Sequence, residues 1–265
     1  MKGAQPRIGF VGQGYVGKNY ADNFDERGFA PARYSLAEPY RNNKHLIKDC
    51  DIVFVCVPTP TTPKGFDIST VEAGLSLVAP GKTAIIKSTI IPGMTKALQK
   101  KFPKIIVLFS PEFLSVATAK EDTDNPFMNI IGIPAQGAKH RAAAEAVLSI
   151  LPRAPYSDIV DSVQAEVIKY AHNMSGYTQV LTFNLLFDMA KHFKVDWRPV
   201  QKAIEADPLV CNRYADPVHK GGRGAGGACF IKDLAAFARV YGQLIGRKEG
   251  MAYLDAAQKN NIALL

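Results

Sequence analysis

The chain has 265 residues, 47% hydrophobic and 21% charged, enough to bury the core of one large or two modest domains. Its formal charge of +8 suits an acidic partner such as a nucleotide. No Lys/Arg run exceeds Lys100-Lys101 and none is interleaved with aromatics, so a nucleic-acid footprint is not expected.

Met1 to Arg7 lacks the apolar stretch and cleavage site of a secretion signal, and the longest apolar run, Ile52 to Val57, is far too short to span a bilayer. Cys50, Cys56, Cys211 and Cys229 show neither C-x-x-C pairing nor His-containing zinc spacing. No metal and no membrane are therefore expected, and a reduced, cytoplasmic compartment is.

Arg7 to Val11 reads as a strand, and Val16, Tyr20 and Phe24 then recur at helical spacing up to Gly28. Ala32 to Leu36 is a second strand and Asp51 to Val57 a buried third. Asp67 to Val78 follows as a helix with Val71, Leu75 and Val78 on one face. Further strands are expected at Thr83 to Ser88, Ile105 to Phe109 and Met128 to Ile133, with helices between them. Such alternation predicts an α/β fold with a doubly wound, mostly parallel, Rossmann-like sheet over residues 1–160.

The pattern changes near Tyr156 to Ser162. From Val163 to His192 there is no proline and one glycine, Gly176, which predicts a helix of about 45 Å with Ser162 as its N-cap. With further helices at Asp196 to Glu205, Asp233 to Ile245 and Glu249 to Ala263, residues 161–265 read as an all-helical domain. Its long central helix is the candidate homodimer interface. Gly221 to Gly227 is a glycine-rich loop.

Two segments carry chemistry on their own terms. Gly12-Gln13-Gly14-Tyr15-Val16-Gly17 is a G-x-G-x-x-G turn that follows a strand and opens an amphipathic helix. Gly12 permits the turn, Gly14 lets the backbone approach a pyrophosphate, and Gly17 allows close packing at a helix N-terminus that favours anions. A dinucleotide is expected there. The ribose-reading acid belongs at Tyr34 or Ser35, neither of which is acidic. Glu38 stands a turn later, so NAD is the default and NADP stays open.

The second segment, Gly224 to Asp233, sets Cys229 where the glycine-rich loop meets a helix, with Lys232 and Asp233 close behind. A helix N-terminus and a lysine favour thiolate, so Cys229 reads either as a nucleophile or as a buried structural thiol. Cys50, Cys56 and Cys211 lack such flanks and are expected to pack. On the long helix Glu166, Lys169 and Asn173 share one face. Glu166 with Lys169 reads as an exposed ion pair, or Lys169 with Asn173 as a pair of oxyanion donors.

Taken in order, seven segments resemble the UDP-glucose/GDP-mannose dehydrogenase family. They are the Gly12 to Gly17 turn, Cys56 to Pro60, Lys87 to Gly93, Ser110 to Leu114, Ala165-Glu166 with Lys169 and Asn173, Phe183-Asn184, and Gly226 to Asp233. The resemblance implies oxidation of a nucleotide-sugar primary alcohol, such as that of UDP-glucose, to the acid by two NAD-dependent steps. In it Cys229 forms a thiohemiacetal and then a thioester, and Lys169 and Asn173 stabilise the oxyanion. Asp233 supports proton transfer, Thr89 positions water, and Glu112 sits near sugar and cofactor. Gly12, Gly14, Tyr15, Val16, Gly17, Pro58, Thr59, Thr89 and Lys232 would meet the cofactor. Phe113, Leu114, Lys169, Asn184, Gly226 and Gly227 would meet the substrate.

Four departures stand out. Val116 occupies the place of a further family carboxylate, which touches the hydrolytic step, and Ala225 replaces a bulky aromatic. The segment from Leu36 to Asp51 is abbreviated. The family carries a C-terminal nucleotide-sugar-binding domain, and the sequence stops at Leu265, so an abbreviated member is expected. The alternatives are a single-step NAD(P)-dependent β-hydroxyacid dehydrogenase, which has no use for the thiol, and a non-catalytic or partner-dependent nucleotide-binding relative.

Overall fold

The computed structural model describes residues 5–62, 65–211, 213–219 and 221–265; residues 1–4, read above for a secretion signal, lie outside them. The chain divides into two compact units, one ending at Lys169 and one running Tyr170–Leu265.

The first unit is built on β1 (Ile8–Val11), β2 (Ala32–Tyr34), β3 (Ile52–Val55), β6 (Thr83–Ile86), β7 (Ile106–Phe109), β8 (Met128–Ile133) and β9 (Tyr156–Asp161). They form one sheet in the order β2-β1-β3-β6-β7-β8-β9, parallel throughout except at the β7–β8 junction. A separate hairpin pairs β4 (Thr61–Thr62) with β5 (Gly65–Phe66). The helices of this unit are α1 (Tyr15–Glu26), α2 (Ser69–Leu75), α3 (Met94–Lys101), α4 (Ala119–Asp124) and α5 (Ala138–Ile150), with a 3-10 helix at Arg41–Asp49.

Strands β1, β3, β6 and β7 are buried at all four residues, which is why they read as unbroken apolar runs rather than as alternation. Period two sorts their side chains to the two faces. Phe10, Phe54, Ile85 and Leu108 pack with Tyr20 and Phe24 of α1, and Phe10 stacks on Phe54 at 4.9 Å between ring centres. Val11, Val53, Val55, Ile86, Val107 and Phe109 pack on the opposite face with Val71, Leu75 and Leu98. Register is set residue by residue, Ile8 opposite Ile52 and Val11 opposite Val55. As a result the C-terminal ends of β1, β3, β6 and β7 line up along one edge, the edge where open parallel sheets take their ligands.

Three expectations need correction here. The segment at Tyr156 to Asp161, read as a transition, is the edge strand β9, paired in parallel with β8 over six residues. Ser162 is not the N-cap of the long helix α6 (Ser162–His192): the Asp161 carboxylate accepts from Val163 N–H at 2.9 Å, and the buried Ser162 hydroxyl has no partner. The helix expected from Asp233 starts five residues earlier, as α8 (Ala228–Leu244).

The second unit holds the rest of α6 with α7 (Trp197–Ala206), α8 and α9 (Lys248–Leu264). Asp196 caps α7 by accepting from Arg198 N–H. One core cluster among the described residues holds Tyr177, Leu181, Ala225, Leu234 and Leu254. Among the described residues no helix is long and apolar enough to cross a membrane, and no group of His, Cys, Asp or Glu could hold a metal.

Candidate active site

In the first unit the fingerprint turn is built by contact. Gly12 adopts φ +91°, and a Cβ there would meet the carbonyl oxygen of Cys56 at 2.4 Å; a Cβ on Gly17 would meet Gly12 O at 2.0 Å. At Gly14 a Cβ would meet nothing within 4 Å, so the room over the turn belongs to whatever approaches it. Gly14 caps α1 without a side-chain hydrogen bond, and a helix N-terminus favours an anion. This cradle fits a dinucleotide pyrophosphate. Tyr15 is partly exposed and Val16 packs against the α1 side of the core.

The loops after β3 and β6 are stitched together beside the turn. Ser88 Oγ accepts from Val57 N–H at 2.9 Å and donates to Val57 O at 2.7 Å, and Thr59 Oγ1 donates to Thr89 O at 2.8 Å. Thr59 is buried, so its hydroxyl holds the Thr89 backbone, while Thr89 itself is half-buried.

After β7, Glu112 is the hub of a buried charged cluster. Lys87 Nζ lies 3.0 Å from Glu112 Oε2, 3.4 Å from Ser110 Oγ and 4.2 Å from the centre of the Tyr20 ring. Glu112 Oε1 accepts from Phe113 N–H at 2.8 Å, and Lys169 donates to the Glu112 carbonyl. Lys169 Nζ also sits 5.5 Å over the Phe113 ring. Burial, followed by the charge of Glu112, pushes the Tyr20 phenol well above its ordinary value. Burial likewise pushes Cys56 up to about 12, an inert thiol. Leu114 is partly buried and Val116 is exposed.

Glu166 is not half of an exposed ion pair. It is fully buried, and its carboxylate accepts from Gly93 N–H at 2.5 Å, Thr95 N–H at 2.8 Å and Thr95 Oγ1 at 2.5 Å. Gly93 has no side chain to cap α3, so a carboxylate from α6 does it instead. Lys169, read as the other half of that pair, is buried too.

In the second unit Cys229 occupies the second position of α8, two residues after Gly227, which caps the helix with φ +83° and no side-chain bond. Cys229 is half-buried. A thiolate there would stand at the positive end of the helix. One turn on, Asp233 is buried between two donors: Asn173 Nδ2 at 2.5 Å to Oδ2 and Lys232 Nζ at 2.5 Å to Oδ1. Asn184 is buried, with Nδ2 donating to Val180 O at 2.8 Å and Oδ1 accepting from Arg223 Nε at 2.8 Å.

Two residues of this unit escaped sequence reading. Arg223 holds the glycine-rich loop to α6 through Asn184 and, at 2.8 Å, Asp188. The buried Asn261 of α9 accepts from Ala225 N–H at 2.6 Å and donates to Ala225 O at 3.1 Å. No local pattern marks either. Lys87 is a further residue of the site that sequence reading did not single out, although a lysine directly after the apolar run Ala84-Ile85-Ile86 is a visible signal. Gly226 and Gly227 are exposed, and Cys211, expected to pack, is exposed as well.

The structure thus gathers Gly12 to Gly17, Pro58, Thr59, Thr89, Glu112, Phe113, Leu114 and Lys169 within the first unit. Asn173, Asn184, Gly226, Gly227, Cys229, Lys232 and Asp233 fall within the second.

Residues 38–150 match the UDP-glucose/GDP-mannose dehydrogenase family, NAD binding domain, and residues 163–262 match the central domain of the same family. The putative UDP-glucose 6-dehydrogenase YtcA of Bacillus subtilis is 30% identical over 206 residues, 73% of this chain and 46% of its own length. The UDP-glucose 6-dehydrogenase AglM of Haloferax volcanii is 26% identical over 86% of this chain and 64% of its own length. The chain therefore spans about half to two thirds of these relatives. Among solved structures, a UDP-glucose dehydrogenase of Pyrobaculum islandicum matches with a TM-score of 0.83 at 24% identity, covering 99% of this chain and 69% of that one, a likeness of fold.

Proposed function

The chain belongs to the UDP-glucose/GDP-mannose dehydrogenase family, and from that premise we propose that it oxidises the primary alcohol of a nucleotide sugar to the acid, with Cys229 as covalent catalyst. The observation that carries this reading is the setting of Cys229. It is a partly accessible thiol in the first turn of α8, one turn from a buried Asp233 that also holds the Asn173 amide. The three other cysteines have no such setting.

The Gly12 to Gly17 turn and the N-terminus of α1 would hold the pyrophosphate of NAD, with Pro58, Thr59, Thr89 and Lys232 toward the rest of the cofactor. NAD, when bound, accepts one hydride at each of the two oxidations. Once the alcohol is an aldehyde, Cys229 Sγ bonds to the aldehyde carbon and the oxygen takes up the charge, where Lys169 and Asn173 donate to it. The second oxidation turns that adduct into a thioester. Water, positioned by Thr89 and relieved of a proton toward Asp233, cleaves the C–S bond, releasing the acid and restoring the thiol. Glu112, Phe113, Leu114, Asn184, Gly226 and Gly227 would line the substrate side.

Domain roles follow the same reading: cofactor binding over 1–160, and the catalytic thiol and dimer contact over 161–265. Leu185, Leu186 and Met189, exposed on the last turns of α6, support a homodimer through that helix. The four free thiols suit a reducing cytoplasm.

Incubation with UDP-glucose and NAD tests the proposal, with other nucleotide sugars in parallel. Two cofactors reduced per sugar, with acid as product, are expected. One reduction per substrate, unaffected by Cys229→Ser, would point to a single-step hydroxyacid dehydrogenase. Binding without turnover would point to a non-catalytic relative.

A further inference from the structure

In dinucleotide folds of this type an acid at the end of the second strand hydrogen-bonds the adenosine ribose and repels a 2′-phosphate. Here β2 ends at Tyr34, whose carbonyl accepts from Gly12 N–H at 2.8 Å, so the strand end lies directly against the fingerprint turn. The next residues are Ser35 and Leu36. Ser35 Oγ closes a short turn with Ala37, donating to Ala37 O at 2.8 Å and accepting from Ala37 N–H at 3.2 Å, and Leu36 is 81% exposed.

Two basic residues flank this strand end, and they are differently engaged. Arg33 is bound to α1 through Asp22 and Asp25. Arg41 folds back, its Nε donating to Leu36 O at 2.9 Å, which brings a largely exposed guanidinium onto the first residues after the strand. The loop carboxylate Glu38 is also exposed, with Oε1 4.0 Å from Arg41 Nε. An exposed carboxylate at that distance is screened by water and leaves the remaining guanidinium N–H groups for other acceptors.

We propose that this strand end takes a 2′-phosphate, with Arg41 as its donor and Ser35 standing where a carboxylate would repel it, so that the protein binds NADP as well as NAD. The inference rests on the dinucleotide site of the proposed function. The guanidinium fork matches phosphate geometry, while a hydroxyl in place of the expected carboxylate removes the repulsion.

Direct binding tests it without turnover. NADH and NADPH are titrated separately into the full chain, followed by nicotinamide fluorescence. The two dissociation constants are expected to agree within about tenfold. Arg41→Ala should weaken NADPH about tenfold more than NADH, and Ser35→Asp should weaken NADPH by at least as much. Tight NADH with NADPH more than about 100-fold weaker overturns the inference and leaves the proposed function standing. If neither nucleotide binds, the dinucleotide site itself falls, and both readings go with it.

Discussion

The two units hold their functional loops by different means. In the first, each loop hangs from a strand whose end is already fixed by the ladder, and buried polar groups then lock loop to loop. Ser88 spans Val57, Thr59 reaches Thr89, and Lys87 grips Glu112. In the second, the turn before Cys229 has no strand to hang from. Side chains do the same work: Asn261 of α9 meets both backbone groups of Ala225, and Arg223 of the loop itself binds Asn184 and Asp188 of α6. A sheet edge supplies rigidity before any side chain is chosen. A glycine turn between helices gets it only from particular side chains.

The comparison breaks hardest at the thiols. Cys229→Ser is expected to abolish acid formation, with the cofactor reduced per sugar falling from two to at most one. Acid still appearing at the wild-type rate would remove the sulfur from the mechanism. Alkylation of the native protein should label Cys229 and spare Cys56, whose burial pushes it up to about 12.

Next in size is Lys87→Met. Removing one partner strands Glu112 as a buried charge, which costs about 3–5 kcal/mol of stability. Urea unfolding measures it, and pairing the change with Glu112→Leu should recover part of the loss. If Lys87→Met unfolds at the wild-type midpoint, Glu112 is solvated rather than locked and the first unit is not rigid in this sense.

What was legible beforehand follows the same division. Strands β1, β3, β6 and β7 announced themselves because both faces are buried, and the fingerprint turn because Gly12 and Gly17 have steric jobs that no other residue can do. Strand β9 was missed because Tyr156-Ser157-Asp158-Ile159-Val160-Asp161 is a half-exposed edge whose polar residues follow no alternation. The start of α8 was misplaced because its cap is glycine, which carries no polar signal. Glu166 with Lys169 looked like a local i, i+3 pair, yet their partners lie at Gly93, Thr95 and Glu112. Contacts between residues so far apart in sequence leave no trace in local spacing. For the same reason Asn261 was invisible and Lys87, though at a telling position, was not read as part of the site.

Asn261→Leu probes the second unit's tether. Both the N–H and the C=O of the buried Ala225 lose their partner, which costs about 1–3 kcal/mol for a group left unsatisfied. The same change should alter the alkylation rate of Cys229, four residues on. Asn261→Asp, which keeps the acceptor and loses the donor, should fall between. An unchanged alkylation rate in both variants would mean that the Cys229 turn holds its shape without α9.

The smallest effect lies in the pH dependence of Glu166. Burial is the largest influence on its carboxyl and raises it. The hydrogen bonds from Thr95 and Gly93 pull the other way without cancelling the rise. A carboxyl raised on folding binds its proton more tightly in the folded chain than in the unfolded one. Its contribution to stability is therefore complete below the unfolded value of about 4.3 and is lost as pH climbs through the raised folded value. Glu166→Gln cannot titrate, and it gives up one acceptor oxygen at the α3 cap, for a loss of about 1 kcal/mol. The stability gap between wild type and Glu166→Gln should then widen in favour of wild type as pH falls from 8 toward about 5, read by urea unfolding at each pH. A gap that instead narrows on acidification would mean that the three donors outweigh burial, and that α6 caps α3 with a carboxylate held below its ordinary range.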